Sequence, residues 1–241
     1  MLVNCCSSYN FSNIGHMQAN NKFILAQTRL FMGLDEEILE KIAVHTEIKN
    51  FKRGEHLFYQ DDTAHSFYTV IDGWVSVYRG SLDGDQIILN VFKNGESFAE
   101  PAALSLQFYP ANALAESNCT VLEVNMDSFK SVLLNNPDMV LNIINRLSQR
   151  LFGMVNEMEK LRTQSAPFRL AEFILELCPD NIEETVLTLP FSKHCLAARL
   201  KLKPETLSRA FISLKQCDVA TDRGTKITIG NIDKLQEFVG S

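Results

Sequence analysis

The spacing of hydrophobic and polar positions changes along this chain, and each change marks an element. Residues 1–20 are polar and aperiodic and are expected to form a mobile tail. Residues 21–45 are helical in pattern, with Asp35-Glu36-Glu37 opening a helix that carries Ile38, Leu39, Ile42 and Ala43. From Ile48 to Val124 short strand-like runs follow, at 67–71, 74–78 and 86–92. Asp72-Gly73 and Asp83-Gly84 separate these runs and Asn94-Gly95 follows them, supplying the positive φ angles that tight hairpin turns need. Strands at this spacing predict a small barrel or jelly roll.

From Val140 the period lengthens again. Val140, Ile144, Leu147, Leu151, Met154, Met158 and Leu161 alternate steps of four and three, which is the seam of a coiled coil. The strictness of this repeat predicts pairing with a second copy rather than a helix packed on its own domain. After Ser165-Ala166-Pro167 come a helical stretch (169–177) and a strand-like one (186–190). Two helices joined by a tight connection follow (192–200 and 204–216), then a hairpin around Asp222-Arg223-Gly224 and a helix from Asn231. That order describes a winged helix-turn-helix. The expected organisation is α+β: a tail (1–20), a β-roll or jelly roll (21–135), a long dimerisation helix (136–165) and a winged helix-turn-helix (166–241).

Composition narrows the class. The chain has 241 residues, 46% of them hydrophobic and 22% charged, which suits folded domains and excludes disorder. No apolar run reaches the roughly 18 residues of a membrane span. No basic stretch followed by an apolar one marks export, so a cytoplasmic location with reduced cysteines is expected. The net charge of −6 is unevenly spread. Residues 1–135 hold 9 Lys/Arg against 16 Asp/Glu, whereas 193–226 hold 8 against 3. An acidic front with a basic island behind it fits a protein whose contact with DNA is small; a solvated Lys/Arg face would give the same island.

The island coincides with the helix pair. Ser192 suits an N-cap, and Pro204 suits the first position of the second helix. The leading side chains of such a helix reach base edges in the major groove; here they are Glu205, Thr206, Ser208 and Arg209. Arg bonds guanine bidentately, and Glu accepts from cytosine. Lys193, Lys201, Lys203 and Lys226 are the expected phosphate contacts.

With these elements in place, the chain resembles the catabolite-activator/fumarate-nitrate-reductase superfamily of transcription regulators over roughly residues 25–238. The resemblance rests on Gly54-Glu55, on the segments 67–73 and 95–100, on the heptad helix, and on Glu205-Thr206-Leu207-Ser208-Arg209. It implies a homodimer on a palindromic operator, an effector-sensing β-roll that resembles cyclic-nucleotide-binding domains, and contact with RNA polymerase. Within the superfamily, 65–68, 97–100 and 204–209 are most similar to the dissimilatory nitrate respiration and hybrid-cluster-protein regulators, which implies a sensor of nitric oxide using b-type haem.

The departures bear on the effector. Cyclic-AMP-binding members hold the phosphate with an Arg-Ser pair; Pro110 and Ala111 stand there, so cyclic-nucleotide binding is not expected. The oxygen-sensing members hold an iron–sulfur cluster on four thiolates. Here Cys5-Cys6 are followed by no cysteine until Cys119, so no cluster is expected. For haem, the implied pocket is lined by Phe92, Phe98, Ala102, Leu104, Leu106, Leu114, Leu141 and Ile144. Its axial ligand is undetermined among His16, His45, His56, His65, Met32, Met126 and Met139, none singled out by spacing. A small organic or redox effector without haem is the alternative. No His-x-His pair, Gly-x-Ser-x-Gly elbow or phosphate-binding Gly-Lys loop is present, so an enzyme is not expected.

Overall fold

Two antiparallel four-stranded sheets dominate the N-terminal half of the computed structural model, which describes residues 14–28, 31–80, 86–178, 185–222 and 224–240. One sheet is ordered β1 (Thr46–Phe51), β8 (Cys119–Asn125), β3 (Ser66–Asp72), β6 (Ser97–Phe98). The other is ordered β2 (His56–Phe58), β7 (Asn112–Ala115), β4 (Val75–Gly80), β5 (Gln86–Phe92). Strands β4 and β5 form a hairpin in which Val75 faces Phe92; its Asp83-Gly84 turn lies outside the described residues.

The other two glycine turns are not hairpins. Asp72-Gly73 carries the chain from β3 to β4, and Asn94-Gly95 from β5 to β6, each time between sheets. The dipeptide specifies a positive φ, whereas the jelly-roll winding decides which sheet receives the next strand. Gly73 has φ +84°, and a Cβ there would lie 2.4 Å from the carbonyl oxygen of Asn118. Its lack of a side chain is therefore required twice over.

Helices cover one side of the roll. Helix α1 (Ile14–Gln27) begins inside the stretch expected as tail, while residues 1–13 lie outside the described ones. Extending an anchored helix backwards costs little per residue, and the anchors here are specific. Asn21 Nδ2 donates to Thr46 Oγ1 (3.1 Å), and Lys22 Nζ pairs with Glu36 and Glu40 of α2 (Glu36–Ala43). Asn125 caps α3 (Met126–Leu134), whose Phe129 meets the rings of Phe31 and Phe67 edge-on.

Pro137 starts α4 (Pro137–Thr163), 27 residues long. At 1.5 Å per residue it spans roughly 40 Å. A second core lies beyond it. Helices α5 (Ala166–Leu177), α6 (Lys193–Arg199), α7 (Pro204–Ser213) and α8 (Ile232–Gly240) pack with a sheet ordered β10 (Val219–Thr221), β11 (Lys226–Ile229), β9 (Thr185–Thr188). Leu170, Ile174, Phe191, Leu196, Leu214 and Ile227 are fully buried there. Val91 of β5 is buried in the same core, and the Trp74 ring lies 4.7 Å from that of Phe191. The β4–β5 hairpin thus joins roll and helix-turn-helix. No helix among the described residues is long and apolar enough to cross a membrane.

Candidate nucleic-acid interface and effector site

Local chemistry shapes the helix pair. Ser192 Oγ accepts the Cys195 N–H (3.3 Å) and caps α6; Pro204, with its fixed φ, opens α7. Between them Lys201 adopts φ +54°, a left-handed geometry that bends the chain at the turn. The Leu202 N–H donates to Ala197 O (2.8 Å) and closes that bend. Leu207, Ala210 and Phe211 of α7 face the core, leaving Glu205, Ser208, Arg209 and Ile212 outward and Thr206 half-buried. Glu205 and Arg209, one turn apart, share a face. Ser208 Oγ donates to Pro204 O (3.0 Å), so its lone pairs, not its proton, point outward as acceptors.

Most of the expected phosphate contacts gather round this face. Lys203 is exposed at the head of α7. Lys193 Nζ bonds the carbonyl of Asp222 and lies 5.6 Å above the Phe211 ring, beside the wing turn that Lys226 closes through its N–H to Asp222 Oδ1 (3.1 Å). Lys201 is the exception: its Nζ donates to Asn90 Oδ1 (3.1 Å) on β5. A groove of about 550 Å³ runs between α6, α7 and β10, and adds His194 and Lys215 to the basic surface. The sequence signal for Lys215 was its spacing, seven residues after Ser208 on the same helical stripe.

The interior of the roll is aromatic. Phe58 and Tyr109 stack with centroids 3.7 Å apart, Tyr68 and Phe98 at 5.6 Å, and Phe92 and Phe98 at 5.0 Å. Tyr109 Oη donates to Ser66 O (2.7 Å). Tyr68 Oη lies 3.4 Å from Glu123 Oε1, and Glu123 is ion-paired with Lys49. Burial, above all, holds the Tyr68 phenol far above its ordinary pKa, so it stays protonated.

Of the expected haem-lining residues, Phe98 and Ala102 are buried and Phe92 and Leu114 half-buried. Leu104 and Leu106 lie on the outside of a π-helical turn (Ala102–Leu106), and Leu141 (61% exposed) and Ile144 (51%) on open faces of α4. They do not close around one space within a chain, so the residues of a single chain do not fit the group. Of the candidate axial ligands, Met126 and Met139 are buried in the core of the roll and Met32 is exposed. His56 Nε2 is 2.8 Å from Tyr78 Oη and its ring stacks on Tyr59; His45 and His65 are exposed; the His16 side chain lies outside the described residues. Arg79 reaches the loop of Pro110 and Ala111, where its Nε donates to the Pro110 carbonyl (2.7 Å). Cys119, Cys195 and Cys217 are buried and form no disulfide, while Cys5 and Cys6 lie outside the described residues. Among the described residues no group of three or more His, Cys, Asp or Glu could hold a metal ion.

Along α4 the seam is open. Ile144, Leu147, Leu151 and Met154 are 45–64% exposed, Val140 is half-buried, and the side chains of Met158 and Leu161 lie outside the described residues.

Residues 48–136 match the cyclic nucleotide-binding domain and residues 168–238 the Crp-like helix-turn-helix domain. A crystal structure from Ruegeria pomeroyi, described as a candidate cyclic nucleotide binding protein, superimposes with a TM-score of 0.75 at 33% identity, covering 93% of this chain and 99% of that one. DNR from Pseudomonas aeruginosa gives 0.55 at 26% identity, covering 95% and 100%. The cyclic AMP receptor protein of Thermus thermophilus is 26% identical over 187 residues, 78% of this chain and 85% of its own length. The match to the neuropathy target esterase of Drosophila willistoni, by contrast, spans 54% of this chain and only 9% of that protein.

Proposed function

The chain belongs to the catabolite-activator/fumarate-nitrate-reductase family of DNA-binding transcription regulators, and we propose that it acts as a homodimer whose β-roll senses a small effector. The family is one of regulators, not of enzymes. The observation that carries the DNA reading is the exposed pair Glu205 and Arg209 on α7, ringed by Lys193, Lys203 and Lys226. A second copy of the chain is the natural cover for the open seam of α4, because the seam's period is that of a coiled coil. Two recognition helices then enter successive major grooves about 34 Å apart and read a palindrome, from which the regulator addresses RNA polymerase.

For the effector, the aromatic interior of the roll suits a small uncharged organic molecule that slides between rings. A second reading, nitric oxide sensed through haem b, is favoured by the similarity to DNR along 95% of the chain. It requires a second copy's α4 to complete the pocket that Leu104, Leu141 and Ile144 leave open. Selection of bound sequences from a random duplex pool, followed by anisotropy titration, tests the DNA reading. Recovery of a palindrome with half-sites one turn apart supports it, and recovery of no preferred sequence refutes it. A Soret band after incubation with haemin under reducing conditions decides between the two effectors.

A further inference from the structure

Arg199, the last residue of α6, is gripped by the roll. Its Nη1 donates to Glu96 Oε2 (2.8 Å) and to Val91 O (2.7 Å), and its Nη2 to Glu96 Oε1 (2.8 Å). The guanidinium carbon lies 6.0 Å above the Trp74 ring, and the Arg199 and Glu96 side chains are only 19% and 14% exposed. A bidentate, largely desolvated Arg–carboxylate pair is strong and geometrically exacting. Around it Lys201 Nζ holds Asn90, and Lys93 is ion-paired with Glu176 of α5.

Both ends of this grip lead somewhere. Two cations of the basic island, Arg199 and Lys201, are bound to the roll, and α7 begins only a turn beyond them. At the other end, Glu96 closes the turn at Gly95 by accepting the Lys93 N–H (3.1 Å), and the chain enters the aromatic interior two residues later at Phe98. An effector that parts the Phe92–Phe98 stack therefore pulls on the segment that carries Glu96.

We propose that the Arg199–Glu96 pair is an autoinhibitory latch: closed, it withholds Arg199 and Lys201 from DNA and fixes α7 in a weakly binding orientation; effector entry opens it. This rests on the DNA-binding reading above, and the test separates the two. Full-length Glu96→Gln keeps an acceptor for the turn but loses the charge, and Asn90→Ala removes the bond between Asn90 and Lys201. Neither position lies on the DNA-reading face. Each variant, without effector, is expected to bind the selected palindrome more tightly, Glu96→Gln by roughly tenfold, with a salt slope steeper by about one per cation released. Small-angle scattering of Glu96→Gln without DNA is expected to show a larger radius of gyration. Unchanged or weaker DNA binding with an unchanged thermal melt overturns the latch, as does an unchanged radius. If Glu96→Gln does not fold, Arg199→Gln, which breaks the same pair from the other side, carries the scattering readout. If neither wild type nor variant binds DNA, the DNA reading falls, and scattering then decides only whether the Arg199–Glu96 pair holds roll and helix-turn-helix together.

Discussion

The rings of Phe58 and Tyr109 lie 3.7 Å apart and nearly parallel, both buried inside the β-roll. Phe58 is 7% exposed and also faces Tyr68 and Phe98. Phe58→Ala is expected to cost about 3–5 kcal/mol of stability, the usual range for emptying a packed aromatic site. The cavity left behind is apolar and is expected to take up a small aromatic such as indole. Urea denaturation with and without indole checks both parts; a variant that indole fails to stabilise means the neighbouring rings have collapsed into the space.

Cyclic AMP and cyclic GMP are expected to give no heat of binding up to millimolar concentration. A buried cyclic phosphate needs a cation, and the loop offers Pro110 and Ala111, with Arg79 already holding the Pro110 carbonyl. Calorimetry on the wild-type protein is the check, and micromolar binding would mean that Arg79 swings inward to take the phosphate.

How far the sequence reaches is clear from individual residues. Ser192, Pro204 and the Glu205–Arg209 face were legible because caps, proline and helical spacing are local. The spacing from Val140 to Met154 was legible as one helix for the same reason. The crossing of Asp72-Gly73 between sheets was not, because the dipeptide reports a φ angle and the destination is set by Asn118 and the strands beyond. The turning of Lys201 toward Asn90, 111 residues earlier, was not legible either. A pairing at that separation leaves no periodicity to read.

Cys195, 2% exposed and facing Ser192 at the start of α6, carries a thiol that burial pushes up to about 12. A thiol pKa raised on folding stabilises the native state below the unfolded value, near 8.5, and that contribution is lost as pH rises toward the folded one. Stability is therefore expected to decline progressively between about pH 8.5 and 12, and Cys195→Ala is expected to flatten part of the decline. Urea titrations across that range test this, and a slope identical in both proteins would assign the loss to other groups. At neutral pH the native thiol is expected to resist alkylation until the protein unfolds.

Leu147 and Leu151 stand 45% and 64% exposed on α4, a turn apart on the seam. Replacing both by Asp is expected to give monomers by light scattering, since carboxylates facing each other across a coiled-coil interface are neither desolvated nor paired cheaply. Neither residue belongs to the core of the winged helix-turn-helix, so that fold is expected to survive, with circular dichroism little changed. DNA affinity is expected to fall sharply because one half-site contact replaces two. A variant that remains dimeric would place the interface elsewhere.

Arg209 and Lys203 test the division of labour on α7. Arg209 is exposed on the face it shares with Glu205, while Lys203 stands at the N-terminal end where a phosphate would approach. Arg209→Ala is expected to cost about 1–3 kcal/mol on the selected site and to relax preference at one G·C pair. Lys203→Ala is expected to weaken specific and random duplexes alike and to lower the salt slope by about one. The two variants thus differ in kind: one loses discrimination at constant salt dependence, the other loses salt dependence at constant discrimination. Anisotropy titrations on the palindrome, a G·C-swapped duplex and a random duplex at several salt concentrations resolve them. If Arg209→Ala weakened all three duplexes equally, Arg209 would be touching backbone, and the base-reading role would pass to Glu205 and its neighbours on the same face.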